Sequence, residues 1–545
     1  MVETAAGVRV EGHGGDVALA VMRGFGVAEM FTLSGGHVFP LYDAAVRSGV
    51  RIVDVRHEQT AVFAAEGIAK LTRRPGLAVV TAGPGVTNSI SGITSAFFTG
   101  SPLVVLGGRA PTVNWGRGGL QELDHVPIVA PVTKYAATAG SSAAIATEVR
   151  AAALAAVTPH RGPAFVDVPM DVIFSPAAAD LLPVDPPRGA EPDPDEVAAA
   201  ARLLARAERP AIIAGTDVYW ERAEEALRHV AEACRAPVFA NGLGRGCLPA
   251  DHELAFARTR GLLRTEADLV VVVGTPLDFR LGFGDFGAAA VVHVVDDPSR
   301  RATHRETAAS PAGDLTTVLR GLASYAGDRA DHEPWLDRLR AAEGAARVAD
   351  SAELEADGDP VRPPRVYGEL RRRLERDAVV IGDGGDFVSY AGKYVDSFQP
   401  GCWLDPGPYG CLGTGLGYAA AARVARPGSQ VVLLLGDGAA GFSLTDVDTL
   451  VRHRLPVVIV VGNNGGWGLE KHPMRAIYGY DVAAELRPET PYDEVVRALG
   501  GAGETVRSAS GIGPALDRAL AAEVPYLVNV ITDPDDAYPR SSVLA

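Results

Sequence analysis

Residues 431–466 read VVLLLGDGAAGFSLTDVDTLVRHRLPVVIVVGNNGG, and the fold follows from how this stretch alternates. Val431 to Leu435 and Val457 to Val461 are apolar at every position, the mark of strands buried on both faces as a parallel sheet requires. Gly436-Asp437-Gly438 ends the first run and Asn463-Asn464 ends the second, with 24 residues between the two motifs. A carboxylate and an amide at two adjacent strand ends suit a hard divalent cation, which takes oxygen ligands and bridges to phosphates. The loop glycines let backbone N–H groups approach a diphosphate at the start of a helix expected near Ser443.

The same alternation runs outward through the chain. Leu77 to Val80, Leu103 to Leu106, Ala164 to Val168, Ala211 to Ala214, Leu269 to Val273, Val291 to Val295, Val379 to Ile381 and Tyr526 to Ile531 read as further buried strands. Val197 to Arg206, Arg222 to Arg235 and Val366 to Leu374 read as amphipathic helices between them, so the class is α/β. Two proline- and charge-rich stretches, Leu182 to Glu196 and Ser351 to Arg365, read as linkers. They divide the chain into residues 1–185, 186–355 and 356–545, three consecutive doubly wound domains with parallel sheets, of which the first and third could be one design used twice. Residues 77–108 carry no charge, but Pro84, Asn88, Pro102 and several glycines argue for two buried strands joined by turns, not a membrane helix.

Composition narrows the function. A chain of 545 residues with 47% hydrophobic and 22% charged residues is an ordinary globular protein, large enough for an enzyme. A formal net charge of -16 argues against nucleic-acid or anionic-membrane partners, which need a basic surface. Cys234, Cys247, Cys402 and Cys411 are too widely spaced for paired zinc ligands and too few for a disulfide scaffold, and no basic-then-apolar leader opens the chain. The expected location is cytoplasmic.

The GDG to NNGG stretch resembles the thiamin-diphosphate motif of the family that contains acetolactate synthase, oxalyl-CoA decarboxylase and 2-hydroxyacyl-CoA lyase. The resemblance covers the three-domain plan: a pyrimidine-binding domain, a central domain and a diphosphate-binding domain. It implies that Asp437, Asn464 and the carbonyl of Gly466 hold Mg2+, with Gly436, Gly438 and Ala439 against the diphosphate. Asp383-Gly384-Gly385-Asp386 would line the diphosphate from the other side. In Gly410 to Gly415, Leu412 would wedge between the two cofactor rings and the Gly410 carbonyl would accept from the 4'-amino group. Glu58, in Arg56-His57-Glu58-Gln59, would bind N1' of the aminopyrimidine, and TAGPGVTN (81–88) would contribute Pro84 and Asn88.

The substrate is read from details. Asn463-Asn464-Gly465-Gly466-Trp467-Gly468 is similar to the CoA-using branch, while Gly468 and Leu120 stand where an oxalyl-CoA decarboxylase would carry tyrosines. The resemblance therefore implies a 2-hydroxyacyl-CoA lyase releasing formyl-CoA and an aldehyde or ketone. The alternatives are an acetolactate-synthase-like decarboxylase and carboligase, an oxalyl-CoA decarboxylase, and, from another class, a non-catalytic nucleotide-sensing scaffold. Gln121 would polarise the substrate and Glu489 would serve as a base, with Leu120 and Trp467 near it. Asp296 and Asp297, with Arg161, Arg300 and Arg301, are candidates to bind ADP or the ADP part of CoA in the central domain. Tyr538, Arg540, Ser541 and Ser542 form a candidate lid, His37 and His125 candidate pocket lining, and His304 and His472 surface residues. The active unit implied is a homodimer or homotetramer, because the family shares each site between two chains.

Overall fold

The computed structural model describes residues 8–185 and 187–539. Strands are β1 (Val8–His13), β2 (Glu29–Thr32), β3 (Arg51–Asp54), β4 (Gly76–Val80), β5 (Leu103–Arg109), β6 (Tyr135–Thr138), β7 (Pro163–Pro169) and β8 (Pro176–Leu181) in the first third. The middle contributes β9 (Pro210–Ala214), β10 (Val238–Ala240), β11 (Ala255–Phe256), β12 (Leu269–Val273) and β13 (Ala290–Val294). The last third contributes β14 (Val379–Asp383), β15 (Trp403–Leu404), β16 (Val431–Gly436), β17 (Val458–Asn463), β18 (Ala502–Val506) and β19 (Tyr526–Ile531).

These make three parallel sheets, ordered β3-β2-β4-β5-β7-β6, β11-β10-β9-β12-β13 and β15-β14-β16-β17-β19-β18, plus an antiparallel pair of β1 with β8. Counted within its own sheet, the order is 2-1-3-4-6-5 in both the first and the third. The apolar runs read from the sequence are the sheet interiors: Val79, Val105, Val271, Ile381, Leu433 and Val460 are all fully buried. The α/β class and the three sheets stand as the sequence indicates.

First and third domains join through two helices, Glu58–Thr72 and Thr414–Ala425. They cross closely because small residues face each other. A Cβ on Gly417 would sit 2.8 Å from that of Phe63, and one on Gly67 would sit 2.8 Å from that of Ala421. Inside this dry contact Lys70 Nζ lies 2.9 Å from Glu66 and donates to the Tyr418 hydroxyl at 2.8 Å. The Tyr418 hydroxyl donates in turn to Glu66 at 2.7 Å, and Thr99 and Ser101 complete that carboxylate. A buried charge is tolerated when it is paired and fully hydrogen-bonded, as here.

Three local expectations need correction. Ser351 to Arg365 is only partly linker: one helix runs Glu333–Glu355 and the next begins at Pro363. Leu354 buries an apolar face there, and Asp350 pairs with Arg258 and Lys393, which keeps the charged stretch helical. The uncharged span 77–108 holds the helix Ile90–Phe98 between its two strands, not turns alone, and no described helix is long and apolar enough to cross a membrane. The helix expected near Ser443 starts at Asp437 and ends at Ser443, with Gly436 as its N-cap.

Candidate active site

The third sheet opens a cavity of about 500 Å3 at the carboxyl ends of its strands. Gly384, Gly385 and Asp386 from the end of β14, Gly436 to Ala439 from β16, and Asn464, Gly466 and Trp467 from β17 line it, with Gly410 and Leu412 opposite. Such crevices form where neighbouring strands send their connections to opposite faces of a sheet. Two glycines are required by close approach. Gly384 has φ +66 and a Cβ there would lie 2.1 Å from Leu412, while a Cβ on Gly438 would lie 2.5 Å from the Trp467 ring.

Asp437 is the first residue of its helix and is buried. Its Oδ2 accepts from the Gly465 N–H at 2.7 Å and its Oδ1 from the Gly438 N–H at 3.0 Å, yet no cationic side chain among the described residues pairs with it. Burial pushes its carboxyl up to about 6. Asn464 Oδ1 lies on the same loop, accepting from the Gly466 N–H at 3.2 Å. A buried carboxylate short of a cation, beside an amide oxygen and exposed helix N–H groups, is a donor set fitted to a hard cation carrying an anion.

Asp383 departs from its expected place. It is fully buried, accepts from the N–H groups of Gly413 and Gly415 at 3.0 and 2.8 Å, and is pushed up to about 7 by burial. It therefore shapes the Gly410–Gly415 loop from behind and does not face the cavity. Asp386 does face it, and its Oδ2 accepts from the Tyr538 N–H at 3.0 Å.

In the first domain, Glu58 opens the helix Glu58–Thr72 after β3 and is 6% exposed. Asn88 Nδ2 donates to its Oε2 at 3.1 Å, which leaves Oε1 for another donor. The Arg56 N–H and the Thr60 hydroxyl donate to Asp446 of the third domain at 2.8 and 2.7 Å, which fixes the loop carrying Glu58. Pro84 begins the short helix Pro84–Thr87, with Asn88 as its C-cap. Among the described residues, none of the first domain, Glu58 included, lines the Asp437 cavity of the same chain.

Gln121 sits in a left-handed conformation (φ 59) beside this loop and accepts from the Thr81 hydroxyl at 3.4 Å, while its neighbour Leu120 is 80% exposed. Glu489 is not placed to act as a base: its exposed carboxylate pairs with Arg507 at 2.7 Å. Tyr538 packs edge-on against Tyr390, ring centroids 4.9 Å apart, and borders a second cleft of about 520 Å3 that adjoins the first. Arg540, Ser541 and Ser542 lie outside the described residues.

The nucleotide candidates do not assemble into one pocket. Arg161 is held by Glu221, Asp297 accepts from the Ser299 N–H at 2.8 Å, Arg301 is held by Glu196, and Asp296 is buried against His160. The cavity left beside Asp217 and Arg300 is only about 30 Å3, far too small for a nucleoside. His304, exposed, bonds the Leu277 carbonyl. The Nε2 of His472 is buried without a hydrogen-bond partner, so His472 is not the surface residue expected.

Asp167 and Arg109 are not among the sequence candidates, and His125, expected as pocket lining, is instead a buried link to Asp167. His125, fully buried, accepts from the Gly83 N–H at 2.9 Å through Nε2, and its Nδ1 faces Asp167 at 2.8 Å. Arg109 also binds Asp167, at 3.0 Å. This chain pins Gly83, the residue before Pro84, while the His37 ring bonds the Thr81 hydroxyl at 3.1 Å. The signal was Asp167 itself, a charge inside the otherwise apolar run Ala164 to Val168.

Comparison with known proteins agrees with this geometry. Residues 12–128, 197–322 and 383–530 match the N-terminal TPP binding domain, the central domain and the C-terminal TPP binding domain of thiamine pyrophosphate enzymes. The chain belongs to the thiamine pyrophosphate (thiamin diphosphate) enzyme family. Within it, the chain is 53% identical over 98% of both lengths to the acetolactate synthase large subunit IlvG of Mycobacterium tuberculosis and to a probable acetolactate synthase of Mycobacterium bovis. It is 33% identical to 2-hydroxyacyl-CoA lyase 2 of Caenorhabditis elegans, over 96% of this chain and 90% of that one.

Proposed function

We propose that this chain is an acetolactate-synthase-like enzyme, which decarboxylates a 2-oxo acid and joins the resulting unit to a second carbonyl compound. The observation that carries this reading is the 53% identity along 98% of both chains, against 33% for the lyase, so the synthase alternative displaces the lyase read from the NNGG detail. Thiamin diphosphate, when bound, supplies a nucleophilic carbon and an electron sink. Asp437, Asn464 and the Gly466 carbonyl would hold Mg2+, and the backbone around Gly384, Gly385, Gly438 and Ala439 would receive the diphosphate. Leu412, packed against Gly384, would form the apolar wall of the cofactor site. Glu58 holds a proton at Oε1 for exchange with the ring nitrogen, and Asn88 fixes its other oxygen. Gln121 orients the substrate carbonyl, and Trp467 and Tyr538 keep water from the reacting carbon.

A second copy of the chain completes the site. Among the described residues the cavity around Asp437 has no first-domain wall, which supports a homodimer, alone or paired into a tetramer, in which the partner brings its Glu58. Mixing Glu58→Gln with Asp437→Asn subunits in equal amounts should restore about one quarter of wild-type activity, since half the dimers carry one intact site in two. No recovery, with mixed dimers demonstrated, refutes the shared site.

One observation keeps the lyase as a second reading: Arg245 and Arg260, in no ion pair among the described residues, line the cleft beside Tyr538, a cationic edge suited to the phosphates of an acyl-CoA. The deciding experiment incubates the holoenzyme with pyruvate and, separately, with 2-hydroxyacyl-CoA thioesters. Acetolactate formation supports the synthase; formyl-CoA release without it overturns that assignment.

A further inference from the structure

His160, in the loop after the helix Ile145–Val157, reaches from the first domain to the carboxyl ends of the central sheet. There it meets Asp217, just beyond β9, and Asp296, just beyond β13. His160 Nδ1 lies 3.2 and 3.1 Å from the two Asp296 oxygens and 3.6 Å from Asp217 Oδ1. One atom from each residue falls within a set no more than 4.8 Å across. A single ring nitrogen carries at most one hydrogen and can satisfy only one of two carboxylates. The carboxylate of Asp217, a residue 7% exposed, receives no hydrogen bond from any described residue.

No arginine or lysine takes the missing place. Arg161 is engaged by Glu221, Lys134 Nζ donates to the Thr158 carbonyl at 2.7 Å, and Arg300 is exposed and makes no ion pair among the described residues. Two buried carboxylates share one imidazole, whose single positive charge when protonated offsets only one of them, a costly arrangement. Donors bound at about 2.0–2.2 Å to one ion stand roughly 3–3.5 Å apart, close to the separations here. The adjoining cavity of about 30 Å3 leaves room for one or two waters to complete the coordination.

We propose that His160, Asp217 and Asp296 form a first-row divalent metal site, suited to Zn2+, that clamps the first domain to the central domain. It is separate from the cation place at Asp437. The imidazole nitrogen selects Zn2+ or Co2+ over Mg2+, whereas the all-oxygen set at Asp437 does not.

The test uses untagged holoenzyme saturated with thiamin diphosphate and excess Mg2+, cleared of trace metals, and titrated calorimetrically with Zn2+. Expected is one further equivalent of Zn2+ per chain, not displaced by Mg2+ and accompanied by a higher melting temperature. His160→Gln and Asp217→Asn should each weaken that binding at least about 100-fold, while His304→Gln leaves it unchanged. Absence of the further equivalent in wild-type protein overturns the proposal even if a variant fails to fold. Zinc retained by both folded variants overturns it too, by placing the ion on surface histidines.

Discussion

The first and third sheets share the order 2-1-3-4-6-5, and each places a carboxylate on the first residue of a helix: Glu58 after β3 and Asp437 after β16. A helix N-terminus favours a negative charge at both. The chemistry nevertheless differs. Asp437 follows an interior strand, lines a cavity, accepts from the N–H groups of Gly438 and Gly465, and suits a cation that carries a diphosphate. Glu58 follows an edge strand, lies against Asn88 and keeps one oxygen free, which suits a proton. One topology thus supplies two strand-end carboxylates, and the residues within a turn of the strand end decide what each one does.

The largest effect should come from breaking the proton-handling half alone. Glu58→Gln should lower kcat by about 100- to 10,000-fold while cofactor affinity, followed by tryptophan quenching, stays near wild type. Cofactor loss in step with activity would erase the distinction between the two carboxylates.

The contact that holds the two halves together comes next. Lys70→Met strands the Glu66 carboxylate in a dry interface, and should cost about 3–5 kcal/mol in denaturant unfolding, with Glu66→Gln/Lys70→Met partly restoring it. A change below about 1 kcal/mol would mean that the network carries no net charge.

The diphosphate half should be sensitive to pH. With its carboxyl up near 6, the cation-free Asp437 holds its proton below that value, so cation and cofactor compete with a proton there. Affinity should be flat above pH 7 and fall up to about tenfold per unit below pH 6. The sign for stability is opposite: this raised carboxyl costs the cofactor-free protein stability as pH rises from about 4 towards 6, and cation binding removes the penalty. Asp437→Asn should bind the cofactor at least about 100-fold more weakly and lose the pH step. A step that survives the substitution belongs to another group.

The smallest effect should be at Glu489. Its carboxylate serves only an exposed pair with Arg507, so Glu489→Gln should change kcat/KM by less than about twofold. A loss of tenfold or more would return it to the site.

Much of this was legible in the chain because the deciding features are short and local. Every apolar run named from the sequence is a strand, since a strand buried on both faces is apolar at nearly every position. Gly436 to Gly438 and Asn463-Asn464 mark a cavity because close backbone approach demands glycine and short polar side chains. Misreadings came where local composition competes with distant partners. Ser351 to Glu355 looks like linker until Asp350 finds Arg258 and Lys393. Asp383 looks like a ligand until its carboxylate is seen capping Gly413 and Gly415.

The sequence by itself determined the three α/β units, the strand-end motifs and the carboxylates that matter, because periodicity and turn chemistry act over a few residues. Only the tertiary structure decided which carboxylates are buried, which are spent on surface ion pairs, and that His125 pins Gly83 from 42 positions away. It alone also brought His160 to Asp217 and Asp296, from another domain. Burial and pairing depend on what the rest of the chain stacks against a residue, and no short window of sequence contains that.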